Sequence, residues 1–336
     1  MNADVRGGDV RGTDLRALLD WVARQPEGTD LELACVEHPD PARGPRGREV
    51  VVVPDCLEGV GSHLLLELLV AGAASLTLAL AGCGARDAVR ERCSPLIALL
   101  DQLGQTGRLR CTEASGRGLR RPVHAATSMP VGRRQLLFLP QAPRCAPPDT
   151  SATPHQRLVT AVRALAGGAQ EAAAAATTVP DAPALRLTST GCTACGVCVH
   201  ACPEQALGIE VITTGGSSTG PGSVDPRAHG DETRLRLQPA ACSGCRACLE
   251  VCPPGALSAD GQQAWDVLLT DAEVVLETFD TARCRRCGGR FPADGGALCP
   301  VCAYRSADPF GTTLPPEVLA RLSPEVARRF RDPTAR

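Results

Sequence analysis

The sequence contains no lysine: all 35 basic residues among its 336 are arginine. Such a chain cannot use the lysine of a phosphate-binding G-K-[ST] loop, a Schiff-base lysine or a kinase-type lysine. Asparagine occurs once, at Asn2, which together with the missing lysine reads as codon bias of a GC-rich genome. Aromatic residues make up 2%, so large rings supply little of the core energy. A long apolar run is also lacking. The most apolar stretch, from Leu64 to Leu80, is interrupted by Glu67, Gly72, Ser75 and Thr77 and falls short of a bilayer span. It reads as a helix followed by a buried strand. The opening MNADVRGGDVRGTDLRALLDW has charges every few residues and no signal-peptide core, so a cytoplasmic protein without membrane insertion is expected. A net charge of -2 argues against a nucleic-acid binder, which needs a basic face. Arg120-Arg121 and Arg133-Arg134 read as solvated loop charge.

What the sequence has in excess is cysteine, with a count of 18. In a reducing compartment clustered thiols are tested first against metal and iron-sulfur spacing. Six are scattered before residue 190 and twelve fall in three tight groups between Cys192 and Cys302. That division predicts a multidomain chain, α/β plus α+β. Residues 1–140 alternate helix and strand: helices near 13–24, 58–71 and 86–103, strands near 31–36, 50–53, 75–80, 108–111 and 135–139. This spacing implies a small parallel α/β sheet. Residues 141–184, rich in Pro and Ala, read as a linker with a helix near 155–165. Residues 213–230 read as a mobile loop insertion too poor in apolar residues to pack. Their G-S-S-T-G run matches a hydrolase nucleophile elbow only formally, because no strand precedes it and no helix follows.

The first cysteine group is Cys192, Cys195, Cys198 and Cys202-Pro203; the second is Cys242, Cys245, Cys248 and Cys252-Pro253. Both have the spacing C-x2-C-x2-C-x3-C-P of bacterial ferredoxins. Three cysteines at two-residue intervals curl around one cubane, and the fourth reaches the neighbouring cluster. The expected sets are Cys192, Cys195, Cys198 with Cys252, and Cys242, Cys245, Cys248 with Cys202. Residues 185–260, from LRLTSTGCTACGVCVHACPEQALGIE to RLRLQPAACSGCRACLEVCPPGALS, resemble the bacterial two-cluster ferredoxin family. The resemblance implies two 4Fe-4S clusters and one-electron transfer at low potential. Each half then reads as strand, cluster loop, short helix at 203–207 or 254–257, and strand. Ala194, Gly196, Ser243 and Gly244 are small enough for backbone N–H groups to approach sulfur. The stretch between Cys202 and Cys242 is longer than a compact member needs.

The third group, Cys284, Cys287, Cys299 and Cys302, lies in RCRRCGGRFPADGGALCPVCAY. Two knuckles with Gly or Pro beside the ligands define a tetrahedral thiolate site. Residues 261–311 look like a zinc ribbon, with rubredoxin-like iron as the alternative. Residues 312–336 carry Leu319, Leu322, Val326 and Phe330 at helical spacing and read as an amphipathic tail helix.

In the first domain Cys35, Cys56 and Cys83 follow predicted strands and Cys93 lies in the next helix. Strand C-terminal ends are where open α/β sheets place functional groups. These four cysteines either bind a further cluster or act as small buried hydrophobes. The turn Gly82 to Asp87 partly matches a dinucleotide-binding turn, with Asp87 in place of the third glycine. Residues 30–112, through VVVVPDC, AGAASLTLALAGCGARD and GRLRC, resemble the iron-sulfur delta subunit of methyl-viologen-reducing hydrogenases, a family that relays electrons to heterodisulfide reductase. The resemblance implies a 2Fe-2S cluster. Here the first strand carries only Cys35, and the second loop runs longer, from Cys83 to Cys93.

The expectation is an iron-sulfur electron-transfer protein serving a flavin- or metal-containing oxidoreductase and transforming no substrate itself. Two alternatives stay open: an enzyme subunit whose first domain binds nucleotide or flavin, and a redox-sensing regulator.

Overall fold

The structure is a computed structural model that describes residues 15–25, 28–113, 118–130, 151–168, 182–212 and 231–307. The expected strand at 135–139, the loop 213–230 with its G-S-S-T-G run, and the tail helix 312–336 lie outside the described residues. The chain divides into two compact units, one of residues 1–182 with 263–271, the other of 183–262 with 272–336.

The first unit runs α1 (Arg16–Val22), β1 (Thr29–Cys35), β2 (Arg43–Gly44), β3 (Arg48–Val53), α2 (Ser62–Val70), β4 (Ala73–Ala79), α3 (Arg86–Gln102), β5 (Leu109–Thr112), β6 (Leu119–Arg120), β7 (Val123–Ala125) and α4 (Pro154–Leu165). Its main sheet has the order β5-β4-β1-β3-β7, with every pairing parallel. The apolar runs LELAC, VVVV and SLTLA suit strands covered on both faces, as parallel sheets require. Leu31, Leu33, Val50, Val51, Leu76 and Leu78 are fully buried. β7 escapes the sequence reading because three half-polar residues carry no periodicity.

α4 lies within the expected linker yet is ordered and packed. It opens on a capping box between Thr153 and Gln156, with Pro154 in the first turn. Arg157 makes a bidentate ion pair with Glu67 of α2, Nε–Oε1 2.7 Å and Nη2–Oε2 2.5 Å. The chain returns to this unit for α7 (Trp265–Leu269). Arg163 of α4 donates to the carbonyls of Leu269 and Thr270 at 3.0 Å each, satisfying that helix end.

The second unit contains β8 (Leu185–Ser189), α5 (Val197–Ala201), β9 (Leu207–Ile212), β10 (Asp231–Leu237), α6 (Ala247–Val251), β11 (Leu257–Gln262), β12 (Val274–Arg283), β13 (Arg290–Pro292) and α8 (Pro300–Ala307). β8 pairs antiparallel with β11, and β13-β12-β10-β9 form an antiparallel sheet. β12 is the unexpected element. It carries the chain leading to the third cysteine group alongside β10, from Leu237↔Val274 to Asp231↔Thr281, so the ferredoxin-type loops and that group share one sheet.

The short helices also differ from expectation. They precede the fourth cysteine of each motif rather than follow it. Gln205 at φ 53° and Gly255 at φ 67° adopt left-handed backbone after that cysteine, which stops a helix from propagating through 203–207 or 254–257.

Candidate metal centres

The two ferredoxin-type loops are built by a sequence repeat that sets Cys242 in the place of Cys192 and extends to the backbone. Left-handed residues fall at Ala194, Gly196 and Gln205 in the first loop and at Gly244, Arg246 and Gly255 in the second, with φ between 53° and 76°. Three of the six are not glycine, a conformation that persists only where surroundings impose it. Gly244 has no alternative: a Cβ there would lie 2.2 Å from the Pro183 carbonyl oxygen. These turns aim N–H groups at sulfur. Ala194 donates to the Cys192 thiol and Gly244 to that of Cys242, which also receives Leu185. Ala206 N–H lies 3.3 Å from Cys202 Sγ.

The repeat extends to burial. Cys195 and Cys245 are exposed, Cys198 and Cys248 buried, and the other four intermediate. The thiols sort themselves across the motifs. Cys252 faces Cys192 and Cys198, while Cys202 faces Cys242 and Cys248. One recess of about 320 Å³, solvent included, is lined by Cys202, Cys242, Cys245 and Cys248 together with Leu185 and Leu237. Each motif's fourth cysteine thus neighbours thiols of the other motif. Burial pushes the Cys198 and Cys248 thiols up to about 11, so they are protonated at neutral pH until a metal takes the proton's place.

One residue of this site escaped the sequence reading. Glu277 of β12 accepts hydrogen bonds from Ser189 Oγ at 2.6 Å, Gly191 N–H at 2.8 Å and Cys192 N–H at 3.1 Å. It closes the start of the first loop and places a carboxylate near the Cys192 thiol, which it pushes up after burial. Only the unpredicted pairing of β12 with β10 could have revealed it.

Cys284, Cys287, Cys299 and Cys302 form a different kind of group. Their sulfurs all lie within 4.8 Å of one another, with Cys287 and Cys299 3.8 Å apart. Zn–S bonds of about 2.3 Å at tetrahedral angles give S···S edges of about 3.8 Å, so the four have the spacing to hold one ion. Backbone N–H groups of Cys299 and Cys287 pull Cys284 down to about 6, whereas burial and the neighbouring thiols push Cys302 up to about 12. Among the described residues no three of the eight ferredoxin-type sulfurs come that close together.

In the first unit the structure separates the four expected cysteines. Cys35 ends β1, opposite Val53 in the parallel register, and Cys56 and Cys83 follow β3 and β4. Cys56 Sγ and Cys83 Sγ are 3.7 Å apart, and Cys35, Cys83 and Glu37 place their donor atoms within 4.8 Å of each other. Cys93 does not share this grouping. It is buried in α3 and its thiol donates to Cys111. A Cβ at Gly82 would stand 2.9 Å from the Glu37 carbonyl oxygen, so the missing side chain serves close backbone packing.

Residues 191–256 match the family model described as a 4Fe-4S dicluster domain. That match covers the two ferredoxin-type motifs and neither the first unit nor the ribbon. No match to a curated protein was found for the chain. Among the described residues no helix is long and apolar enough to cross a membrane.

Proposed function

We infer that this protein is an iron-sulfur electron carrier that relays single electrons between oxidoreductase partners through two 4Fe-4S clusters. The observation that carries the reading is the interleaving of thiols across the two repeated motifs, within the residues that match the dicluster domain. Cys192, Cys195, Cys198 and Cys252 hold one cluster; Cys242, Cys245, Cys248 and Cys202 hold the other. Bound there, the clusters supply reversible one-electron chemistry at low potential. The chain's own part is to exclude water with Leu185, Leu187, Leu235 and Leu237, all buried, and to direct N–H groups at the sulfurs. Cys198 faces Cys248, which brings the two sets next to each other, and the exposed Cys195 and Cys245 offer the approach for a partner. A flavin- or metal-containing oxidoreductase in the cytoplasm is the proposed partner class.

The four compact thiols at 284–302 hold zinc, which has no redox chemistry and fixes the loops beyond β12 and β13. The test is metal counting on anaerobically prepared full chain, with spectra of the reduced form. About eight irons per chain and the paramagnetic signature of two interacting clusters are expected for two cubanes. Iron not exceeding four per chain overturns the reading. Visible absorption from a chain lacking the ferredoxin-type cysteines would replace zinc by rubredoxin-like iron in the ribbon.

A further inference from the structure

The geometry points to a third metal centre, in the first unit, where Cys35, Cys56, Cys83 and Glu37 hold a single tetrahedral divalent cation of the zinc type. The position follows from topology. β1 lies between β4 and β3, and all three end at the same edge, so the residues just beyond them converge.

Two contacts fix the convergence. Gly82, left-handed at φ 74°, packs against residues 37–39 so closely that no side chain fits. Gly84 N–H then donates to Glu37 Oε2 at 3.3 Å, which turns that carboxylate toward the cysteine loop. Cys83 also receives the Ala85 N–H, just before the long helix α3.

The distances bring three donors together around one position. Cys35, Cys83 and Glu37 lie within 4.8 Å of each other, the same criterion met by the four ribbon thiols. Cys56 Sγ is 3.7 Å from Cys83 Sγ, matching the 3.8 Å of the ribbon's Cys287–Cys299 edge, but it stands outside the 4.8 Å group and completes the tetrahedron by moving in on the ion. A two-iron cluster needs two pairs of ligands set apart on separate metals. Cys93, the residue that would complete such a set from sequence, is engaged by Cys111 instead. The remaining donor is an oxygen, and three sulfurs with one carboxylate fall within the ligand range of zinc. Cys35 and Cys83 are buried and Glu37 is exposed, so the ion is reached from the Glu37 side.

The experiment uses the full chain carrying Cys287→Ser and Cys299→Ser, which removes the ribbon's metal, with zinc and iron counted together. One zinc beyond the cluster irons is expected. It is lost in Cys35→Ser, retained in Cys93→Ser, and bound at least about tenfold more weakly in Glu37→Gln. Because Cys35→Ser removes a buried thiol, Glu37→Gln at the surface is the decisive variant, paired with cadmium-113 resonance on the same chain. A signal of three sulfurs and one oxygen is expected, moving when Glu37 is replaced. No zinc in the ribbon-less chain, zinc indifferent to Glu37→Gln, or two further irons with acid-labile sulfide that depend on Cys83 would each overturn the proposal. The iron count from residues 192–252 is independent of these outcomes, so this site and the electron-carrier reading fail separately.

Discussion

Glu277 on β12 accepts the backbone N–H of Cys192 at 3.1 Å, so a carboxylate from the ribbon's strand sits against the first cluster loop. Among the described residues the second loop has no such partner at Cys242, whose N–H donates to the Pro239 carbonyl at 3.0 Å. Two halves that share one repeated motif therefore differ in charge. The difference extends to Arg246, which stands where the first half has Gly196. A nearby negative charge opposes addition of an electron, and a nearby positive charge favours it.

From this asymmetry, Glu277→Gln is expected to raise the potential of the first cluster and leave the second nearly unchanged. Removing one charge at a half-buried site is worth on the order of 1 kcal/mol, roughly 40 mV for a one-electron couple. The glutamine retains a carbonyl for the Cys192 N–H, so iron content stays at wild type. A redox titration followed by spectroscopy reads both clusters. Equal movement of the two potentials would contradict the assignment.

Gly244 and Ala194 occupy the same place in the two repeats and predict opposite responses. Gly244→Ala puts a Cβ against the Pro183 carbonyl oxygen at φ 76°, and should cost about 1–3 kcal/mol and reduce cluster occupancy. Ala194→Gly relieves a left-handed residue at φ 54° and should be neutral or stabilising by up to about 1 kcal/mol. Chemical denaturation of the two variants, with iron counted in each, separates them.

The contrast between these loops and the rest of the chain explains how far the sequence could be read. The cysteine spacing repeats locally and encodes backbone turns, so the dicluster motifs were legible from spacing alone. The parallel sheet was legible too, because LELAC, VVVV and SLTLA are continuous apolar runs. What stayed hidden depends on pairings distant in sequence. The β10–β12 register, which delivers Glu277, joins residues with no shared periodicity. Glu37 became a candidate ligand only when the Gly82 turn brought it to Cys83, far along the chain. The partner of Cys93 stayed hidden for the same reason: the sequence places Cys93 in the helix near 86–103, but only the packing of α3 shows that its thiol meets Cys111.

The Glu67–Arg157 pair joins α2 to the helix inside the expected linker, and its side chains are 9% and 17% exposed. Glu67→Ala leaves the Arg157 guanidinium buried beside apolar residues and should destabilise the first unit by about 3 kcal/mol. Increased proteolysis near 151–168, with iron in the dicluster domain retained, is the expected accompaniment. Wild-type resistance in that segment would mean that α4 is held by its apolar face alone.

Among the described residues, Cys111 is the thiol to which chemistry outside the metal centres should come first. The Cys93 thiol donates to it, and Arg90 and Arg92 add positive charge, so Cys111 is drawn down to about 7 against the opposing effect of burial. Cys93 moves the other way, raised by the same hydrogen bond and by burial. Since the thiolate is the nucleophile, alkylation of Cys111 should climb through neutral pH with its midpoint near 7, where an ordinary thiol with a value of about 8.5 is still mostly protonated. The folded value is depressed, so the stability contributed by its ionisation is present above the unfolded value and fades as pH falls through 7. Cys93→Ala removes the donor and should shift the alkylation midpoint upward by about one unit or more, in line with a charge-assisted hydrogen bond of about 1.5–3 kcal/mol. Mass spectrometry of pulse-alkylated full chain across pH 5 to 9, read at Cys111 in wild type and in Cys93→Ala, measures both midpoints. An unshifted midpoint in the variant would show that the arginines alone set the reactivity.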